Sequence, residues 1–223
     1  MLRCLPIDVR LLTPGQLECG SCAICAARSK LNYPFDRDLK NSDELVVALE
    51  NLIEANTPFK CERTTVHKNP DVVVVKHNGR KILVCRVEAK MLEGFAFMKA
   101  ESLLPDKLKP KETLVVDLPK LIHYFECLQV DLRERGRNIP IFLVWKFDRP
   151  CADIGGITVF QNLIELKKIY DARGLARYFG RATVASDMRD GVKMGITDKY
   201  HFSLRECRPI EELIPAIMSA LPL

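Results

Sequence analysis

Three residues in NPDVVVVKHNGRKILVCRVEAK, the stretch from Asn69 to Lys90, have types and spacing suited to chemistry on a charged substrate. Asp71 opens a run of four valines, and Glu88 and Lys90 close a second apolar run. Between them lies His77-Asn78-Gly79-Arg80, and Asn-Gly flanked by β-branched residues is a strong hairpin signal. Folding back there predicts antiparallel strands over about 71–77 and 81–89, with Asp71 facing the region of Val87 to Ala89. Glu88 and Lys90 are two apart, so they share one face of the sheet. An acid pair and an ammonium then converge on one spot. Two carboxylates that share a divalent cation escape the repulsion that would raise one pKa. Bound Mg²⁺ or Mn²⁺ would polarise a phosphoryl oxygen and lower the pKa of a ligated water. Lys90 would orient that water or stabilise charge developing on a phosphate. The plain alternative is a surface ion pair, worth about 0–1 kcal/mol.

Other elements must hold the hairpin in place. Ser42 is a candidate N-cap, and Leu45, Leu49, Leu52 and Ile53 recur at helical spacing, which predicts a helix over about 43–55. Residues 32–41 before it are turn-rich and read as a connector. FKCERTTV reads as a strand, and TLVVD (113–117) as a short one. Next, Leu118, Leu121, Ile122, Phe125, Leu128 and Leu132 form the apolar stripe of a helix ending near Gly136. IPIFLVWKF (139–147) reads as a buried strand. GGITVF and KYHFSL are further strand candidates, and QNLIELKKIYDA and residues near 209–220 are helix candidates. This order describes an α/β sandwich with a mixed sheet and helices on both sides. The expected organisation is a cysteine-rich segment (1–41), a core (42–149) and a C-terminal α/β extension packed on the core (150–223).

Pro70-Asp71, then a hairpin, then Glu88-Ala89-Lys90 resembles the motif of the PD-(D/E)xK nuclease superfamily. The likeness covers about residues 43–147 in the order of elements. It implies the restriction-endonuclease-like fold, a three-layer sandwich around a mixed central sheet. It also implies a divalent-metal-dependent nuclease hydrolysing DNA phosphodiester bonds, DNA being favoured over RNA, in repair, recombination or defence. By the same resemblance Asp71 and Glu88 ligate the metal, the main-chain carbonyl of Ala89 is a further ligand, and Lys90 is catalytic base or charge stabiliser. Many members add an acid from the preceding helix; Glu44 is the first choice and Glu50 the second, each being otherwise a solvated helix charge. Some place a Gln or Tyr on the following helix. Gln129, one position after Leu128 and three before Leu132, is favoured over Tyr124, which lies off the stripe. The Gln-x-x-x-Tyr pattern of RecB-like members is absent.

Cys19, Cys22 and Cys25 form a C-x₂-C-x₂-C run, with Cys4 upstream. Thiolates at this spacing suit an iron–sulfur cluster or zinc. Packed on a helix, the same residues would serve as small hydrophobes. Two other functions stay open beside the nuclease: a non-catalytic binding module of the same fold, and a metal-cluster protein using these cysteines. Nine cysteines without a secretory signal point to the cytoplasm. No apolar run approaches the ~20 residues that span a bilayer. A net charge of +5 permits a nucleic-acid partner without requiring one. A homodimer is also open.

Overall fold

The computed structural model describes residues 8–19, 35–66, 68–93, 96–148, 154–183, 188–189, 192–193 and 197–221. Its first long element is helix α1 (Phe35–Asn56). No Gly or Pro lies between Pro34 and Pro58, so nothing in the sequence stops this helix from starting at Phe35. Residues 35–41 are therefore helix rather than connector, and Ser42 lies inside it instead of capping it. Strand β1 (Lys60–Arg63) follows, then the expected hairpin, β2 (Val72–Asn78) and β3 (Arg80–Glu93). Gly79 turns the chain at φ +67, a left-handed conformation that favours glycine.

Beyond the hairpin come β4 (Thr113–Asp117), helix α2 (Leu118–Arg135) and β5 (Ile141–Asp148). The chain continues with β6 (Thr158–Asn162), α3 (Leu163–Arg173) and β7 (Tyr178–Gly180). It closes with β8 (Asp198–Ser203), β9 (Arg208–Pro209) and α4 (Leu213–Ser219). Six strands pair in the order β1-β2-β3-β5-β6-β9, and a smaller sheet has the order β4-β8-β7. The β3–β5 pair is parallel and the other pairs of the large sheet are antiparallel, so the sheet is mixed. Residues after 150 do more than pack on a core. β6 and β9 widen the main sheet and β8 is the middle strand of the second, so a boundary at 149 would cut both.

Apolar residues divide between the two faces of the large sheet. Val72, Val74, Val87, Ala89 and Val144 pack with Leu45, Leu49 and Ile53 of α1 and Leu213 and Ile217 of α4. Leu92, Leu143, Trp145 and Val159 pack on the other side with α2, α3 and the small sheet. Helices on both sides of a mixed sheet give the expected three layers.

One irregularity sets the hairpin register. Val75 pairs with Leu83, yet Val74 pairs with Cys85, so Val84 is an extra residue on β3. Directly opposed residues of an antiparallel pair share a face, and a shift of one moves every side chain to the other face. The bulge sets Val72 opposite Val87, which places Asp71 across from Glu88 rather than from Val87.

On β3 the side chains facing α2 are Arg86, Glu88 and Lys90, and these turn the helix. Its buried face runs through Leu121, Tyr124, Phe125, Leu128 and Asp131, while Ile122 and Leu132 of the expected stripe are 36% and 47% exposed. Arg86 makes a paired contact with Asp131, at 2.5 and 3.0 Å, and Arg135 Nε adds a third at 3.2 Å. Both partners of the pair are largely buried. Truncating one partner of such a pair strands the other charge. Asp131→Ala should therefore lower stability by about 3 kcal/mol, measured as a drop in the chemical denaturation midpoint. A change under 1 kcal/mol would show that the pair does not anchor α2.

Candidate active site

Asp71 lies just before β2, and its Oδ2 accepts a hydrogen bond from the Ala89 amide at 2.8 Å. A residue of an extended strand sends its N–H and C=O to the same side, so the Ala89 carbonyl also points towards Asp71. Burial, and then the neighbouring Glu88 charge, push the Asp71 carboxyl up to about 6, although the Ala89 amide opposes this.

Glu88 is wholly buried. Its Oε1 takes the Lys90 Nζ at 3.1 Å and the Lys120 Nζ at 3.3 Å. Burial disfavours its charge, but the two ammoniums outweigh burial and hold its pKa below the usual value. A surface ion pair is thereby excluded for Glu88. Its second oxygen, Oε2, is buried and makes no regular hydrogen bond among the described residues; nor does the Tyr124 hydroxyl, which lies close enough to help keep Glu88 ionised.

Lys90 also lies 3.9 Å from Asp117 Oδ2, and Lys199 of β8 bonds the other oxygen of Asp117. Burial works against the Lys90 ammonium, but Glu88 and Asp117 outweigh it and raise its pKa. Burial likewise opposes the Asp117 charge, and Lys90 and Lys199 reverse the effect. A line of alternating charge results: Lys120, Glu88, Lys90, Asp117, Lys199.

Asp71, Glu88, Ala89 and Lys90 thus meet at the base of the hairpin. Glu44 does not join them: it is exposed on α1, whose apolar face packs on the opposite side of the sheet. Glu50 and Asp43 of that helix hold Arg63 instead. Gln129 is exposed, because the polar side chains of β3 turn α2 so that Lys120 and Tyr124 face the site. These two residues keep the x-x-x-Tyr spacing with Lys in the first place. Asp117, Lys120 and Lys199 were missed by sequence reasoning; Asp117 directly before Leu118-Pro119 was a helix-start signal that could have drawn notice. Of the cysteine run, Cys19 is half-buried, while Cys4, Cys22 and Cys25 lie outside the described residues.

The donors suit a hard divalent cation: the Asp71 carboxylate, the bare Glu88 Oε2 and the Ala89 carbonyl are all oxygens. No group of three or more His, Cys, Asp or Glu among the described residues is arranged to hold a metal. An ion held by two carboxylates would complete its shell with the carbonyl, water and substrate oxygens.

Neither a family model nor a curated protein matches the chain. Among solved structures it is similar to Hjc, a Holliday junction resolvase from Archaeoglobus fulgidus, at 14% identity, over 78% of this chain and 96% of that one, with a TM-score of 0.39. It is also similar to a nuclease from a fusselovirus, at 9% identity, over 83% of this chain and 91% of that one, with a TM-score of 0.42. No described helix is long and apolar enough to cross a membrane. The mixed sheet between helical layers is the architecture expected from the motif resemblance, and the hairpin sets Asp71 beside Glu88, Ala89 and Lys90. The chain folds as a three-layer α/β sandwich around a mixed central sheet, with Asp71, Glu88 and Lys90 gathered at the base of its hairpin, an architecture similar to the restriction-endonuclease-like fold.

Proposed function

We propose that this chain is a divalent-metal-dependent nuclease that hydrolyses phosphodiester bonds, with DNA as the substrate. One observation supports this above the others. A buried glutamate with one oxygen unpartnered stands beside an aspartate whose pKa is raised to about 6, and an ammonium lies 3.1 Å from the glutamate. Perturbed groups of this kind concentrate at functional sites. The choice of DNA rests on the motif resemblance.

Asp71, Glu88 and the Ala89 carbonyl would hold Mg²⁺ or Mn²⁺. When bound, the ion supplies a polarised phosphoryl oxygen and a ligated water of lowered pKa. Lys90 would orient the attacking water and stabilise negative charge developing on the phosphate. Lys120, mostly buried at the start of α2 and in contact with Glu88, would supply a second ammonium to the same site. The Tyr124 hydroxyl borders the Glu88 carboxylate from the helix side.

Labelled duplex and branched DNA, and RNA of the same sequence, should be incubated with the protein in Mg²⁺, Mn²⁺ or EDTA. DNA should be cut in the presence of either metal and remain intact in EDTA. Lys90→Ala should slow cleavage by about 10²-fold, the usual loss when one charge-stabilising donor is removed. Cleavage in EDTA would overturn the metal dependence, and cleavage by Lys90→Ala at the wild-type rate would overturn the site. Tight binding of DNA without cleavage under all conditions would make the chain a binding module.

A further inference from the structure

We infer that Asp117, held from the C-terminal part of the chain by Lys199, is the positioning residue for Lys90. The inference rests on the nuclease reading of the site and deepens it.

Asp117 occupies the N-cap position of α2, where an aspartate ordinarily accepts a hydrogen bond from an amide of the first turn. Here its side chain makes no such bond. The carboxylate turns away from the helix instead, one oxygen lying 3.9 Å from Lys90 Nζ and the other bonded to Lys199 Nζ. Lys199 sits directly across the β4–β8 ladder from Asp117, so strand register delivers it. The groups around Asp117 come from three elements: Lys90 from β3, Lys199 from β8 and Lys120 from α2. About four-fifths of the Asp117 and Lys199 side chains are covered, so the contact is not an open surface pair.

The arrangement answers a problem in the site itself. Glu88 serves Lys90 as counter-ion and also offers an oxygen to a cation. With a divalent cation bound, Glu88 would lose much of its hold on the Lys90 ammonium, because the two positive charges compete for one carboxylate. An ammonium with Glu88 as its only acid would then swing away from the substrate. Asp117 is a second acid, outside the ligand set, whose hold on Lys90 does not depend on Glu88. Lys199 keeps that acid aimed. The C-terminal residues thereby complete the site.

The test uses the full chain and the variants Asp117→Asn, Lys199→Met, Lys199→Arg and Lys90→Met, each measured for Mn²⁺ binding, DNA cleavage and thermal unfolding. Asp117→Asn should reduce kcat by about 10- to 100-fold, the scale of an ångström-sized misplacement. Its KM and Mn²⁺ affinity should stay within about twofold of wild type. Lys199→Met should fall in the same direction by a smaller factor, and Lys199→Arg should restore kcat. A kcat for Asp117→Asn within threefold of wild type overturns the inference. So does parallel loss of Mn²⁺ affinity, which would make Asp117 a ligand. If the wild type cuts no nucleic acid, the nuclease reading fails, and the inference is then judged by a double-mutant cycle on melting temperature. Asp117→Asn and Lys90→Met together should cost less than the sum of the single losses; additive losses overturn it.

Discussion

Glu88→Gln should abolish Mn²⁺ binding and slow DNA cleavage by roughly 10³-fold or more, while the protein stays folded. The substitution keeps the shape of a buried side chain and removes only its charge. That charge serves Lys90 at 3.1 Å, Lys120 at 3.3 Å and, through the bare Oε2, a cation. A metal contributes several kcal/mol of transition-state stabilisation, and each 1.36 kcal/mol is a factor of ten, so losing the ion costs about 10³-fold or more. The fold should survive because the amide oxygen still accepts from a lysine and the new NH₂ can donate to the Tyr124 hydroxyl, which lacks a regular partner. Mn²⁺ titration and single-turnover cleavage, with a melting curve as control, give the answer. A folded Glu88→Gln protein that binds Mn²⁺ like wild type would remove Glu88 from the ligand set.

The parts of this site visible in the sequence are those set by local rules. Asn78-Gly79 between valine-rich runs is a turn signal of two residues, and the hairpin formed there. The two-residue period put Glu88 and Lys90 on one face. Counting from the turn could not decide whether Asp71 meets residue 87 or 88, and the difference decides whether the two acids share a face. The answer lies in the Val84 bulge, and a run of β-branched residues carries no mark of where a bulge will fall. The rotation of α2 was illegible for a related reason. Ile122 and Leu132 extend an apolar stripe on paper, but Arg86 and Glu88 of β3 require Asp131, Lys120 and Tyr124 opposite them. A helix is turned by what it packs against, and an apolar side chain left in water costs less than a stranded charge. Lys199 was out of reach altogether, because a pairing across 82 residues depends on the second sheet.

Asp71 should make cation binding depend on pH in a window that no other acid of the site shares. Its carboxyl is raised to about 6, first by burial and then by Glu88, whereas Glu88 and Asp117 are held below their ordinary values. A cation takes the ionised carboxylate, so affinity should fall about tenfold per pH unit once Asp71 holds its proton. Mn²⁺ should therefore bind about tenfold more weakly at pH 5 than at pH 7. Asp71→Asn, lacking the titrating group, should bind at least 10²-fold more weakly at pH 7 and show no such slope. The metal-free protein should show the opposite trend. For an acid whose folded pKa lies above its unfolded value, the stabilising contribution is complete below the unfolded pKa, near 3.8, and is lost as pH rises through about 6. A shift of this size amounts to roughly 2–3 kcal/mol, to be read as the difference between wild type and Asp71→Asn in denaturant titrations at pH 4 and pH 7. Saturating Mn²⁺ should return that stability at neutral pH, because the ion replaces the proton as the partner of the buried acid. Equal pH slopes for wild type and Asp71→Asn, with and without Mn²⁺, would show that Asp71 neither holds a proton near pH 6 nor exchanges it for a cation.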